Sequence, residues 1–400
     1  MIQTKILLTT ALMVLIISSQ TSGQFDSGSD GSFGPINVAG ANMTIPLPPD
    51  GIIHATTIDI ENNRTLNFTR NEFNTPAYLL ATGDVTIDGK ISINGSFGTE
   101  TAGGAPGPGG FYGGNPGTVG SDPGDGYGPG GGKSGAYTIA ADGAGSGGYA
   151  TVATWSDSAG QGEVYGSPVL IPLVGGSGGG GAEGTPGLGG SGGGGALLLA
   201  SNTQIEFKST AVIHANGGRI SNGIVTAGGS GGAVRFVAPK VFGSGIIQTE
   251  STNENWSLSF DRFGGYGRIR IDTLDRTGLS FSFRPPASAS IGANMVVFPA
   301  ITPRLDLTEV AGEIVTLDAQ NAVLVDLPFD ADPNRTVTIR AQDFDKVVNI
   351  AVVLQPDNGE RIVYEDTIDN SAANPATKVV NVVFPTNTQT QVFVWTRPDA

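Results

Sequence analysis

Four aromatic residues, Tyr112, Tyr127, Tyr137 and Trp155, are the side chains whose type and setting point to a binding chemistry. They stand in a stretch made mostly of glycine, serine, alanine and proline, where each ring offers a broad apolar face with a polar tip. Rings of this kind stack on sugars, so the expected partner is a polysaccharide or a solid repeating surface. No catalytic residue can be assigned beside them. No cofactor or metal is expected either: the chain has no cysteine and only two histidines, His54 and His214. In AVIHANGG, alternation places His214 on the face opposite Ile213, as a structural or exposed imidazole.

Other segments come close to a reactive pattern and miss it. GYGPGGGKSG, residues 126–135, resembles a phosphate-binding loop, but the pattern requires glycine at 127, where Tyr127 stands. No strand precedes it and no helical period follows. DSGSDG supplies Asp26, Asp30 and Gly31 in the spacing of a calcium loop, but Gly28 and Asn37 break the ligand set. Use of these residues in turns is expected instead. Ser177, Ser191 and Ser230 lie among glycines without the strand, turn and helix of a nucleophile elbow.

Asp84, Asp88, Glu206, Glu250 and Asp272 are the carboxylates on the candidate strands. Glycoside cleavage needs two carboxylates across one cleft, and no convergent pair among these can be named from the sequence. An exported structural or adhesive protein that binds polysaccharide without cleaving it is therefore the expected function. A polysaccharide lyase or glycoside hydrolase of the β-helix type is the alternative.

The elements that must position these residues are short alternating strands. YLLATGDVTIDGKISINGSFG (residues 78–98), ALLLASNTQIEFKSTAVIHANGG (196–218) and AVRFVAPKVFGSGIIQTES (233–251) share one plan, with shorter relatives at 56–71 and 267–283. Each has an apolar alternating triplet, a small-residue corner and further alternating stretches, the plan of a coil that buries its face on the next. The fold class expected is all-β, with a right-handed parallel β-helix over residues 24–285. Ile87, Ile91, Ile93, Ile205, Val212 and Ile213 are its expected core.

A glycine-rich insertion spans residues 99–195 and holds more than half of the 63 glycines. Gly175, Gly178, Gly181, Gly184, Gly187, Gly190 and Gly193 recur at every third place, the period of a polyproline II helix with one bare edge. A weaker phase runs through Gly114, Gly117, Gly120, Gly126, Gly132 and Gly135. An ordered lobe packed on glycine is expected. Residues 286–304 read as a linker. Residues 305–400 give seven alternating strands with PDNG as a hairpin turn, the pattern of an immunoglobulin- or fibronectin-like sandwich.

Residues 1–23 read as a signal peptide: Lys5, an apolar run from Ile6 to Ile17, then small residues. That run is too short to span a bilayer and no later run exceeds it, so no membrane span and a secreted or cell-surface location are expected. A net charge of −15 argues against nucleic acid. FDSGSDGSFGP, NTPAYLLATGDVTIDGKI, GGSGGAVRFVAP and GGYGRIRID together resemble a set of exported bacterial glycine-rich proteins over residues 25–275. The resemblance implies export and a β-helical body, with no activity and no functional residues to carry over. RIRID (268–272) is similar to one motif of β-helical polygalacturonases, whose other motifs this chain lacks.

Overall fold

The computed structural model describes residues 25–118, 120–136, 143–153, 160–218, 227–251, 263–316 and 323–397. The expected signal segment lies outside these residues, as do Tyr137 and Trp155. Among the described residues the regular structure is strand, apart from one 3-10 turn at Pro286–Ser288.

The alternating segments form parallel strands that stack their apolar positions in register. Met43, Leu66, Ile91, Ile213, Ile247 and Phe283 stand opposite one another along a six-stranded parallel sheet. In the larger parallel sheet Ile53, Leu79, Leu199, Phe236, Ile271 and Ile291 form a second ladder. Ile36, Ile58, Val85, Ile205 and Val241 form a third. The long strands Ile52–Ile60 and Ala233–Gly243 belong to both of these ladders, each half pairing with a different set of short strands. Nearly all of these residues share one buried core. A slip of one residue would turn the whole apolar set outwards, so the register is strongly specified. His214 lies half-exposed beside buried Ile213, as alternation predicts.

The expected linker contains one more parallel strand, Ala289–Gly292, paired with Arg268–Asp275. The body therefore extends past 285. The segment after this strand is clamped by the Arg235 guanidinium, which donates to the carbonyls of Asn294 at 3.1 Å and Val296 at 2.8 Å.

In the glycine-rich insertion the backbone takes the place of a side-chain core. Along residues 189–195, successive amides donate to different neighbours in rotation. Gly189, Gly192 and Gly195 reach the carbonyls of Thr99, Ser96 and Ile93; Gly190 and Gly193 reach Gly114 and Phe111; Ser191 and Gly194 reach Ala227 and Ser230. The rotation has a period of three residues, so every face of this chain meets another backbone. A Cβ on Gly193, Gly192 or Gly194 would lie 1.9, 2.4 or 2.3 Å from a neighbouring carbonyl oxygen. The single bare edge expected from the every-third-residue spacing is thus corrected: glycines pack against backbone on all three faces here, and Ser191 is the one side chain admitted among residues 189–195. Two members of the expected phases stand apart, Gly184 in a partly exposed bend and Gly120 in open space with φ +89.

The C-terminal residues form two antiparallel four-stranded sheets. Val337, Ile339, Ala341 and Val382 from one face Ile350, Val352, Leu354 and Val392 from the other across a shared core. The PDNG segment is the hairpin turn between the strands Val347–Pro356 and Ile362–Asp369, with Gly359 at φ +100. Only glycine adopts that conformation without strain.

Candidate functional site: an aromatic cleft between the lobe and the sandwich

The PDNG hairpin docks the sandwich onto the glycine-rich lobe. Asn115 donates to the Asp357 carbonyl at 3.1 Å, and Asn358 donates to the Asp122 carbonyl at 2.9 Å. Asp125 is fully buried at the centre of this junction. Its Oδ1 accepts from the Ser134 amide and hydroxyl at 2.6 and 2.9 Å, and its Oδ2 accepts from the Arg361 amide at 3.1 Å. Burial holds the Arg361 guanidinium below its usual range, and the nearby Asp125 charge opposes that shift. The Tyr127 hydroxyl donates to Asp357 Oδ1 at 3.2 Å. Burial first, and the Asp357 charge second, push this phenol well above its ordinary range, so it remains a neutral donor. Tyr127→Phe is expected to loosen the junction by about 1 kcal/mol. Faster limited proteolysis between lobe and sandwich would report it; an unchanged cleavage rate would count against a docking role.

Beside this junction opens a cleft of about 580 Å³, within the range of ligand pockets. Phe111, Tyr112 and Tyr127 line it from the lobe, and Leu305, Val392 and Phe393 from the sandwich. Glu72, Asn74, Asp306 and Gln391 supply polar groups. The rings meet edge to face: Tyr112 and Tyr127 at 6.5 Å between centroids, and Tyr127 and Phe393 also at 6.5 Å. Glycine packing places the lobe's half of this wall. The Phe111 amide donates to the Gly176 carbonyl and its carbonyl accepts from Gly193, while Tyr127 N–H donates to the Tyr112 carbonyl. A Cβ on Gly178 would lie 1.9 Å from that same Tyr112 oxygen. Asp306 is paired with Arg304 at 2.9 Å and with Arg340 at 3.8 Å.

Of the residues singled out from sequence, Tyr112 and Tyr127 meet in this cleft, and Tyr137 and Trp155 lie outside the described residues. Tyr112 is 44% exposed, whereas Tyr127 is only 7% exposed. Tyr127 is therefore a docking residue at the base of the wall rather than an open platform. Two further lobe aromatics serve as anchors: Tyr149 and Tyr165 stack at 4.6 Å, with the Arg268 guanidinium over Tyr149.

Four of the five candidate carboxylates are each engaged by a partner of their own. The Asp84 carboxylate accepts from Thr203 and Gln204 and the Asp88 carboxylate from the Thr210 hydroxyl, Glu206 pairs with Lys208, and Asp272 is buried against Arg235. DSGSDG builds turns, with Asp26 accepting from the Gly28 amide and Asp30 from the Ser32 amide. Among the described residues no group of histidine, aspartate and glutamate is arranged to hold a metal, and no helix is long and apolar enough to cross a membrane. Phe393, Asp306 and Glu72 were not visible as site residues in the sequence, because they join the cleft only when the sandwich docks.

No family model matches the chain, and no curated protein matches it. Among solved structures, chitinase ChiW from Paenibacillus sp. str. FPU-7, a bacterial cell-surface-expressed multi-modular enzyme, aligns at 9% identity with a TM-score of 0.11. The alignment covers 87% of this chain and 24% of that one, so this chain spans about a quarter of that structure's length. At that score the likeness carries no argument about fold or function.

Proposed function

We propose that this chain is an exported structural or adhesive protein of the cell surface or matrix that holds a polysaccharide without cleaving it. The observation that carries the reading is the cleft in which exposed Tyr112 stands beside Phe111 and Phe393 with a few polar groups among them. A large apolar face with polar neighbours suits the alternating apolar and hydroxyl faces of a sugar ring. In this reading the body is a right-handed parallel β-helix, the insertion a bundle of polyproline II strands, and the C-terminal unit an immunoglobulin- or fibronectin-like sandwich. Three in-register apolar ladders support the first, the three-residue rotation of backbone bonds supports the second, and the two facing antiparallel sheets support the third.

Retention of the chain on a panel of immobilised neutral and acidic glycans tests the reading. Tyr112→Ala is expected to weaken retention about tenfold with an unchanged melting temperature. Equal retention by the variant would remove the cleft from the account. One observation favours cleavage as the second reading: Glu72 and Asp306 line the same cleft from opposite domains. Against it, the pairing of Asp306 with two arginines commits its charge to an anchoring role. New reducing ends or unsaturated products from any glycan, lost in Glu72→Gln, would establish that reading and overturn the first.

A further inference from the structure

The aromatic cleft has a neighbour. A groove of about 440 Å³ runs between the body strands and the start of the lobe, lined by Asn67, Thr69, Arg70, Ser92 and Asn94 with the chain at 106–108. One pair of side chains links the linings of the two cavities. Arg70 lines the groove, Tyr112 lines the cleft, and Arg70 Nη1 donates to the Tyr112 hydroxyl at 2.9 Å. The guanidinium carbon lies 5.0 Å from the Tyr112 ring centroid.

We propose that the ligand is a linear anionic glycan lying along both cavities, with a carboxylate or sulfate held by Arg70 where they meet. This rests on the glycan-binding reading above and specifies its substrate class. Among the described residues the one partner of the Arg70 guanidinium is Tyr112, and no carboxylate lies within ion-pair distance of it. A guanidinium carries five N–H donors in a planar fork, so most remain for an anion, and the contact with Tyr112 fixes the plane of the fork. The acidic groups nearby do not occupy this place. Asp306 is taken up by Arg304 and Arg340, and Glu72 is exposed at the cleft, where solvent and salt screen it.

The groove itself is polar. Asn94 accepts from the Asn216 amide through Oδ1 at 2.8 Å, which leaves its NH₂ group as a donor. Asn67, Thr69 and Ser92 add amide and hydroxyl groups of the kind that pair with sugar hydroxyls. An aromatic subsite, a cationic junction and an amide-lined subsite in series fit a charged polymer better than a single sugar.

The test titrates the full chain with oligogalacturonates graded from disaccharide to octasaccharide, with chondroitin sulfate oligosaccharides and neutral cello-oligosaccharides as parallel arms. Affinity is expected to rise with chain length and to favour the anionic series; the two anionic arms distinguish carboxylate from sulfate. Arg70→Gln is expected to lose about tenfold on the anionic ligands and distinctly less on the neutral ones, which lose only its contact with Tyr112. Asn67→Ala should weaken only the longer chains, and Arg70→Lys, which keeps the charge without the planar fork, should fall between. Melting temperatures establish that each variant folds. Equal affinity for charged and neutral ligands, or an Arg70→Gln loss of equal size on both, would overturn the inference while leaving the glycan-binding reading standing. Absence of binding to every arm would overturn both.

Discussion

Replacing Asp272 with alanine is expected to destabilise the protein by about 3 to 5 kcal/mol, as breaking a buried ion pair from one side does. Asp272 and Arg235 are both fully buried. Asp272 Oδ2 accepts from Arg235 Nε and Nη2 at 3.2 and 3.1 Å, while Oδ1 accepts from Arg270 at 2.7 and 3.0 Å and from the Asn294 amide at 2.9 Å. One carboxylate thus compensates two guanidiniums and ties down the segment that closes the body. Its removal leaves Arg235 as an uncompensated buried charge beside a second cation. Burial already holds the Arg235 guanidinium below its usual range, and the Asp272 charge opposes that shift. Urea unfolding followed by circular dichroism measures the loss. The control is Asp275→Asn, whose partner Lys240 stands 3.8 Å away at a half-exposed site and whose loss should cost under about 1 kcal/mol. Similar losses for the two variants would show that the buried cluster carries no special weight. The RIRID segment thereby gains a structural role: its aspartate is a clasp and does not face a cleft.

The second large effect is expected in the glycine-rich lobe. Gly193→Ala places a Cβ 1.9 Å from the Gly176 oxygen, and Gly178→Ala places one 1.9 Å from the Tyr112 oxygen. Both obstacles are backbone atoms, held in turn by their own hydrogen bonds, so no side chain can swing aside. A loss of about 3 kcal/mol is expected for each, at the upper end of ordinary overpacking. Gly192→Ala and Gly194→Ala should behave alike, because each points at a different neighbour along the three-residue rotation. Glu183→Ala, exposed at the end of a short strand, and Gly184→Ala, in a bend, should stay within about 0.5 kcal/mol. The readout is cleavage by a nonspecific protease near residues 175–195, together with the melting curve. Rapid cleavage of the unaltered chain there would overturn the packed lobe altogether. Tolerance of Gly192→Ala and Gly194→Ala, with Gly193→Ala intolerant, would restore the single bare edge.

Gly178 also connects stability to binding, since its neighbour carries the Tyr112 ring. A lobe variant that unfolds locally should lose glycan retention with stability. Tyr112→Ala should lose retention alone. The two classes of variant separate scaffold from contact surface.

The strands were legible because burying every second residue leaves a two-residue period in the sequence. YLLATGDVTIDGKI and ALLLASNTQIEF show that period plainly, and their strands pair in parallel register. The strand Ala289–Gly292 was not legible, because three residues of 3-10 turn and two prolines precede it and only its pairing with Arg268–Asp275 marks it. In the lobe, the spacing of glycines revealed a threefold period but could not show how many faces are covered. Coverage depends on which other segments arrive, and those around residues 189–195 come from as far apart as Ile93 and Ser230.

The candidate site divides in the same way. Aromatic residues in a glycine-rich stretch were visible as an anomaly of composition, and two of them meet in the cleft. Their unequal exposure was invisible, because Tyr127 is covered by a hairpin 230 residues further along the chain. Arg70 gave no signal at all: it is an ordinary surface residue in the sequence, and its meaning comes from the ring it touches.

By itself, then, the sequence determined the strand periods, the absence of any cysteine chemistry and the concentration of glycine in one insertion, since each follows from local composition and spacing. The tertiary structure alone decided which glycine faces are packed, that Asp272 closes a buried clasp, and that Arg70, Tyr112 and Phe393 border one cleft system. The physical reason is that a local period records which side of a strand is covered, whereas the identity of the covering group depends on segments brought together from distant parts of the chain.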